Sequence, residues 1–178
     1  MRDYACLHLA FYLASWGMFR GSSHLRNKTF TFFRPIVDIL CDNQYTSLRN
    51  GQFPNGFENN NGYVELVKGL YNRISNQILQ RVHGWEPTDT LITKILLGTM
   101  ACVPAYDKFF KKGLDVCEIH PHSSFSSKSF DSLIDAIRHN NLSQHIENIH
   151  QNNVQLAGLI QGWPLMKIVD AYFWVKGR

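Results

Sequence analysis

The stretch Leu79–Ile95, LQRVHGWEPTDTLITKI, decides how the rest of the chain reads. A helical apolar pattern runs into Val82-His83 and breaks at Gly84. Glycine is the residue that takes the left-handed conformation closing a helix. Thr88 is a good N-cap for a following helix, because its hydroxyl accepts from a backbone N–H of the first turn. The stretch is therefore helix, tight turn, helix. Upstream, Val64, Val67, Leu70, Tyr71, Ile74, Ile78 and Leu79 recur on one face and predict a helix over Tyr63–Val82. Downstream, the pattern predicts a helix over Asp89–Met100.

Working outward, the same periodicity dominates. Asp3–Phe19 carries Leu7, Ala10, Phe11 and Ala14 at helical spacing and stops at Gly21-Ser22-Ser23. Thr31–Leu40 is a weaker helical stretch, with an extended start at Phe30–Phe33 as the alternative. Residues 50–62, rich in Asn and Gly, form a surface loop. After the second hairpin helix comes Ala101–Asp107, ACVPAYD, where Pro104 is expected to start a helix reaching Lys112, with Gly113 as its stop. Residues 119–127 are a polar connection. Further helices are expected over Lys128–His139, near Ser143–His150, and from Pro164 through Lys176. No strand-rich segment or repeat interrupts this series. The expectation is an all-α, single-domain helical bundle over residues 1–178.

Composition agrees with a folded domain. Of 178 residues, 44% are hydrophobic and 13% aromatic, enough for a core. The net charge of +4 and pI near 8.9 permit a polyanionic partner without demanding one. Eight histidines add positive charge below pH ~6.5. Cys6, Cys41, Cys102 and Cys117 are far apart and lack CxxC spacing, which suits reduced thiols and excludes a four-cysteine iron–sulfur cluster. The apolar run Ala5–Met18 is too short and too interrupted for a membrane span, and lacks the basic start of a signal peptide. It reads as a buried helix of a cytoplasmic protein.

The hairpin resembles that of the helix-hairpin-helix DNA glycosylases, whose usual form is L-x-x-L-P-G-V-G-x-K-x-A. Leu79, Val82, Gly84 and Trp85 fall on its Leu, Leu, Gly and apolar positions. In that superfamily a catalytic Asp follows the first hairpin glycine by a little over twenty residues, at the start of the next helix. Here Asp107 lies twenty-three positions after Gly84, behind Val103-Pro-Ala-Tyr. The likeness covers about Leu79–Phe110. Glu86 replaces the second hairpin glycine, Thr90 the packing alanine, and Thr88 the Schiff-base lysine of lyase-competent members.

The resemblance implies a monofunctional glycosylase acting on a modified base flipped out of double-stranded DNA, with water as nucleophile and no cofactor. Asp107 would stabilise the oxocarbenium and orient the water. It also points to small bacterial antiphage relatives that excise modified cytosines, such as glucosylated hydroxymethylcytosine. The hairpin backbone at His83, Gly84, Trp85 and Thr88, with Lys94, Lys108 and Lys111, would hold DNA phosphates. The aromatic, cationic and hydroxyl groups of WGMFRGSS suit a base pocket, with Trp16 stacking and Arg20 and Ser22 in polar contact; Tyr106 is a further candidate.

Plainer explanations stand beside these. A carboxylate at a helix start complements the helix dipole. Lys167 and Asp170 are spaced for a solvated ion pair, although Lys167 or Trp163 could instead reach the cleft. His120, His122, His139, His145 and His150 match no metal-ligand spacing and read as surface histidines. The alternative is a catalytically inactive DNA-binding or interaction module on the same scaffold. No membrane and no obligate protein partner is expected.

Overall fold

The computed structural model describes residues 2–21, 23–51, 61–82, 84–139, 144 and 163–178. Its α-helices are α1 (Arg2–Ser15), α2 (Arg34–Leu40), α3 (Asn61–Arg81), α4 (Asp89–Thr99), α5 (Lys108–Val116), α6 (Ser127–His139) and α7 (Leu165–Gly177). Short 3-10 turns occupy His24–Asn27, Phe30–Phe33 and Asn43–Gly51. The architecture is all-α, with no strand among the described residues. No described helix is long and apolar enough to cross a membrane.

α4 is the central helix. Its residues Leu91 through Leu97 are all buried, so it is covered on every side. Thr88 caps it as expected: the backbone is extended there, and Oγ1 accepts from Leu91 N. Gly84 takes φ +75° where the chain leaves α3. A Cβ there would meet nothing within 4 Å, so the glycine serves the left-handed backbone and not a close contact. α3 buries most of the face read from its periodicity, including Val64, Val67, Leu70, Ile74 and Ile78, but Leu79 at its end is exposed.

Several expected details differ. α1 buries Cys6, Leu9 and Leu13, whereas Leu7 and Phe11 are exposed. It is a helix with one buried edge, and its inner face lies about a quarter turn from the one the larger side chains suggested. Pro104 does not start a helix. Residues 101–107 run irregularly, and α5 begins after Asp107.

Gly113 does not stop α5 either. It lies inside the helix, where a Cβ would stand 1.9 Å from the Phe173 carbonyl oxygen of α7. A Cβ on Gly177 of α7 would stand 1.9 Å from the Phe109 carbonyl oxygen. Gly113, inside α5, costs that helix about 1 kcal/mol relative to alanine. The return is direct backbone contact between α5 and α7, which fixes α7 beside the segment carrying Asp107. The helix expected near Ser143–His150 and most of the 50–62 loop lie outside the described residues.

Candidate functional site

The site is built on residues 101–107. α4 ends with Ala101 in the left-handed region, at φ 50°, its N–H donating to Leu96 O. The chain then crosses the core, where backbone polar groups need partners. Three helices supply them. Tyr63 OH of α3 donates to Cys102 O. On α4, Thr93 Oγ1 accepts from Tyr106 N, and Thr90 Oγ1 donates to Tyr106 O. Asp170 Oδ1 of α7 accepts from Ala105 N at 2.8 Å. Pro104 has no N–H to satisfy, which suits it to this buried path. Thr90 is thus a clamp on the segment.

Asp107 ends the segment as the N-cap of α5. Oδ1 accepts from Phe109 N and Phe110 N, each at 3.0 Å. Oδ2 lies 3.4 Å from Lys94 Nζ of α4. That side chain of Asp107 is 14% exposed, that of Lys94 6%. Lys94 Nζ also lies 4.1 Å from the centre of the Trp16 ring, a cation–π contact. Carboxylate, ammonium and indole therefore form one chain of contacts.

Trp16 leads into a cavity of about 360 Å³ between α1, α4 and α7. Its lining is aromatic: Tyr12, Trp16, Trp163 and Trp174, completed by Leu97, Ala171, Lys167 and Asp170. Tyr12 lies edge-on to Trp16, ring centres 6.2 Å apart. Its ring rests where a side chain on Gly98 would be, since a Cβ there would lie 2.2 Å from Tyr12 Cε1. Burial pushes the Tyr12 hydroxyl up to about 12, so it stays protonated at working pH. Burial likewise pushes the Asp170 carboxyl up to about 7; the Asp107 charge adds to this, while the Ala105 N–H and Lys94 oppose it.

The candidate residues fall into three groups. Asp107, Lys94 and Trp16 come together. Lys94 is not on a DNA-facing surface as expected; it is buried beside the Asp107 carboxylate. Tyr106 is fully buried, its ring against Phe110 and Phe125 at 5.2 Å each. It packs the core and does not line the cavity. Asp170 is no solvated partner of Lys167; it is 8% exposed and bonded to the backbone of Ala105.

The rest are peripheral. Arg20 is exposed in the turn after α1, between Gly17 and Gly21. Trp85 stacks on His24, ring centres 5.0 Å apart. Lys108 and Lys112 are exposed on α5, while Lys111 donates to Ser123 O. At the start of α4, the Asp89 carboxylate accepts from Tyr71 OH and from Phe125 N. A negative group there opposes a phosphate at the same helix end. Ser22, His83, His145 and His150 lie outside the described residues.

Asp115, His120 and His122 bring three ligand-type atoms within 4.8 Å of one another at the other end of α5. Asp115 was not legible as part of this group, because only the turn after α5 brings it to the histidines. The cluster is about 12 Å along the helix from Asp107, away from the cavity.

Tyr12 and Trp174 carry a signal in the sequence, whereas the role of Gly98 shows only in the packing. Tyr12 and Trp16 are spaced i,i+4, and Trp163, Lys167, Asp170 and Trp174 recur at helical intervals. No protein-family model, curated protein or solved structure matches the chain.

Proposed function

We propose that this protein is a DNA glycosylase that hydrolyses the N-glycosidic bond of a modified base. The observation that carries the reading is the contact chain from Asp107 through Lys94 to Trp16, which links a cap carboxylate to an aromatic cavity. In this mechanism the base leaves the DNA stack, at a cost of a few kcal/mol, and enters the cavity. Stacking on aromatic faces returns about 1–3 kcal/mol per base. As the glycosidic bond lengthens, positive charge grows on the sugar, and the Asp107 carboxylate stabilises it. A carboxylate has about four acceptor sites. Two backbone N–H groups and Lys94 use three, so one remains for the sugar or an attacking water. Lys108, Lys112 and Arg20 are exposed cations available to the phosphate backbone.

The resemblance selects the first substrates to try: duplex DNA whose cytosine is bare, 5-methylated, hydroxymethylated, or glucosylated as in phage DNA. A cytoplasmic role in defence against phage goes with the last. Alkali-labile breaks and free base on one of these DNAs would support the reading. The second reading is a non-catalytic DNA-binding module. It is favoured by the fact that the cap and the ion pair already account for Asp107 in structural terms. Salt-sensitive binding to every duplex with no base released from any would decide for that module.

A further inference from the structure

The cavity contains one polar feature that its role as an aromatic slot leaves unexplained. Asp170 is a buried carboxyl on the wall of an otherwise mostly apolar chamber. Oδ1 accepts the Ala105 N–H, which fixes the carboxyl plane. Oδ2 makes no hydrogen bond to a described residue, and Asp170 is part of the cavity wall. A buried polar group of this kind is costly unless it finds a partner, and the opening beside it is the cavity.

We propose that Asp170 reads the hydrogen-bonding edge of a planar amino-heterocycle held in this cavity, one in which a ring nitrogen acceptor lies next to an exocyclic amine. The inference rests on the reading of the cavity as a base pocket and names the class of base it takes. In the protonated carboxyl, Oδ2–H donates to the ring nitrogen. Oδ1 has a second lone pair and accepts from the amine. This is the pairing edge of cytosine-type and adenine-type bases. Thymine and guanine carry N–H at the matching ring position and meet the Oδ2–H donor to donor. The rings of Tyr12, Trp16, Trp163 and Trp174 hold the faces of any base, so they supply affinity, and Asp170 supplies the choice.

The proton on Asp170 makes recognition pH-dependent. The charged and titratable groups facing it are Tyr12 from α1, Lys94 from α4, Asp107 from the 101–107 segment and Lys167 from its own helix. Tyr12 remains protonated throughout. With the Asp170 carboxyl at about 7, the donor is present below that pH and lost above it. Affinity for an amino-heterocycle is then level on the acid side. It weakens by up to about tenfold per pH unit above ~7.

The test is a titration of the intact protein with 2′-deoxycytidine, 2′-deoxyadenosine and thymidine, followed by tryptophan fluorescence at pH ~6.5 and ~8.5, with Asp170→Asn in parallel. The expected result is binding of deoxycytidine or deoxyadenosine at least about tenfold tighter than thymidine, and weaker at the higher pH. Asparagine keeps an acceptor for Ala105 N–H and a donor for the ring nitrogen, so Asp170→Asn binds with no pH dependence. Equal binding of thymidine, a pH dependence that survives in Asp170→Asn, or no binding of any nucleoside at about 10 mM overturns the inference. The wild-type comparison needs no variant to fold. Nucleoside binding by a protein that excises nothing leaves Asp170 standing and removes the enzyme. Excision whose pH profile is unchanged in Asp170→Asn does the reverse.

Discussion

Lys94 Nζ lies 3.4 Å from the Asp107 carboxylate and 4.1 Å from the centre of the Trp16 ring, so one buried cation joins the acid to the cavity wall. Removing one member of a buried pair strands the other. Asp107→Ala removes the counter-charge of Lys94 and the cap of α5 together. The expected loss is roughly 3–5 kcal/mol from the stranded ammonium, with about 1 kcal/mol more from the cap. Asp107→Asn keeps the cap and loses less. Adding Lys94→Met to Asp107→Asn should recover much of the deficit without restoring activity. Urea denaturation of the wild type, Asp107→Asn, Lys94→Met and the double variant checks this; additive losses would show that the pair is not coupled.

Asp170 gives stability a pH signature. Its folded-state value of about 7 lies above the unfolded value of about 4. The native state therefore holds the proton more tightly. The contribution is complete below pH ~4, declines as the pH rises, and is gone above ~7. Asp170→Asn removes the cost of burying the charge. It should be near neutral at pH ~4.5 and stabilising by up to roughly 4 kcal/mol at pH ~8. Thermal melts across that range measure the difference, and parallel curves for the two proteins would contradict it.

Gly98 tests the seat of the cavity. A methyl there collides with the Tyr12 ring at 2.2 Å, so Gly98→Ala must push the ring aside. The expected cost is about 1–3 kcal/mol, with ligand binding in the cavity weakened. Shortening the obstructing side chain by Tyr12→Leu in the same protein should return part of the stability. Unchanged melting of Gly98→Ala would place Tyr12 elsewhere.

Much of the fold was legible because helical periodicity and caps are local. Thr88, Gly84 and the inner face of α3 follow from neighbouring residues alone. The misread parts depend on distant ones. Gly113 reads as a stop until α7 comes against it with Gly177. Pro104 reads as a helix start until Asp170, Thr90 and Thr93 are seen holding the segment around it. Asp107 stands out in the sequence only through its spacing to Gly84. Lys94 reads as a phosphate contact, yet packing of α4 buries it against the Asp107 carboxylate. Asp170 was assigned to Lys167 by helical spacing, and burial gave it a different partner.

Lys94 also bears on the reaction class. Its neighbours are a carboxylate and a ring face, both partners for an ammonium and not for a nucleophilic amine. Borohydride should trap no covalent adduct between the protein and abasic DNA. An adduct that appears in the wild type and vanishes in Lys94→Gln would replace water with Lys94 as the attacking group.

The most direct measurement is the rate of abasic-site formation on modified-cytosine DNA by the wild type and by Asp107→Asn, which keeps the α5 cap. The account predicts release by the wild type and a fall of about 10²–10³-fold in the variant. Equal rates in the two proteins would contradict it, and so would the absence of release by the wild type on every modified DNA.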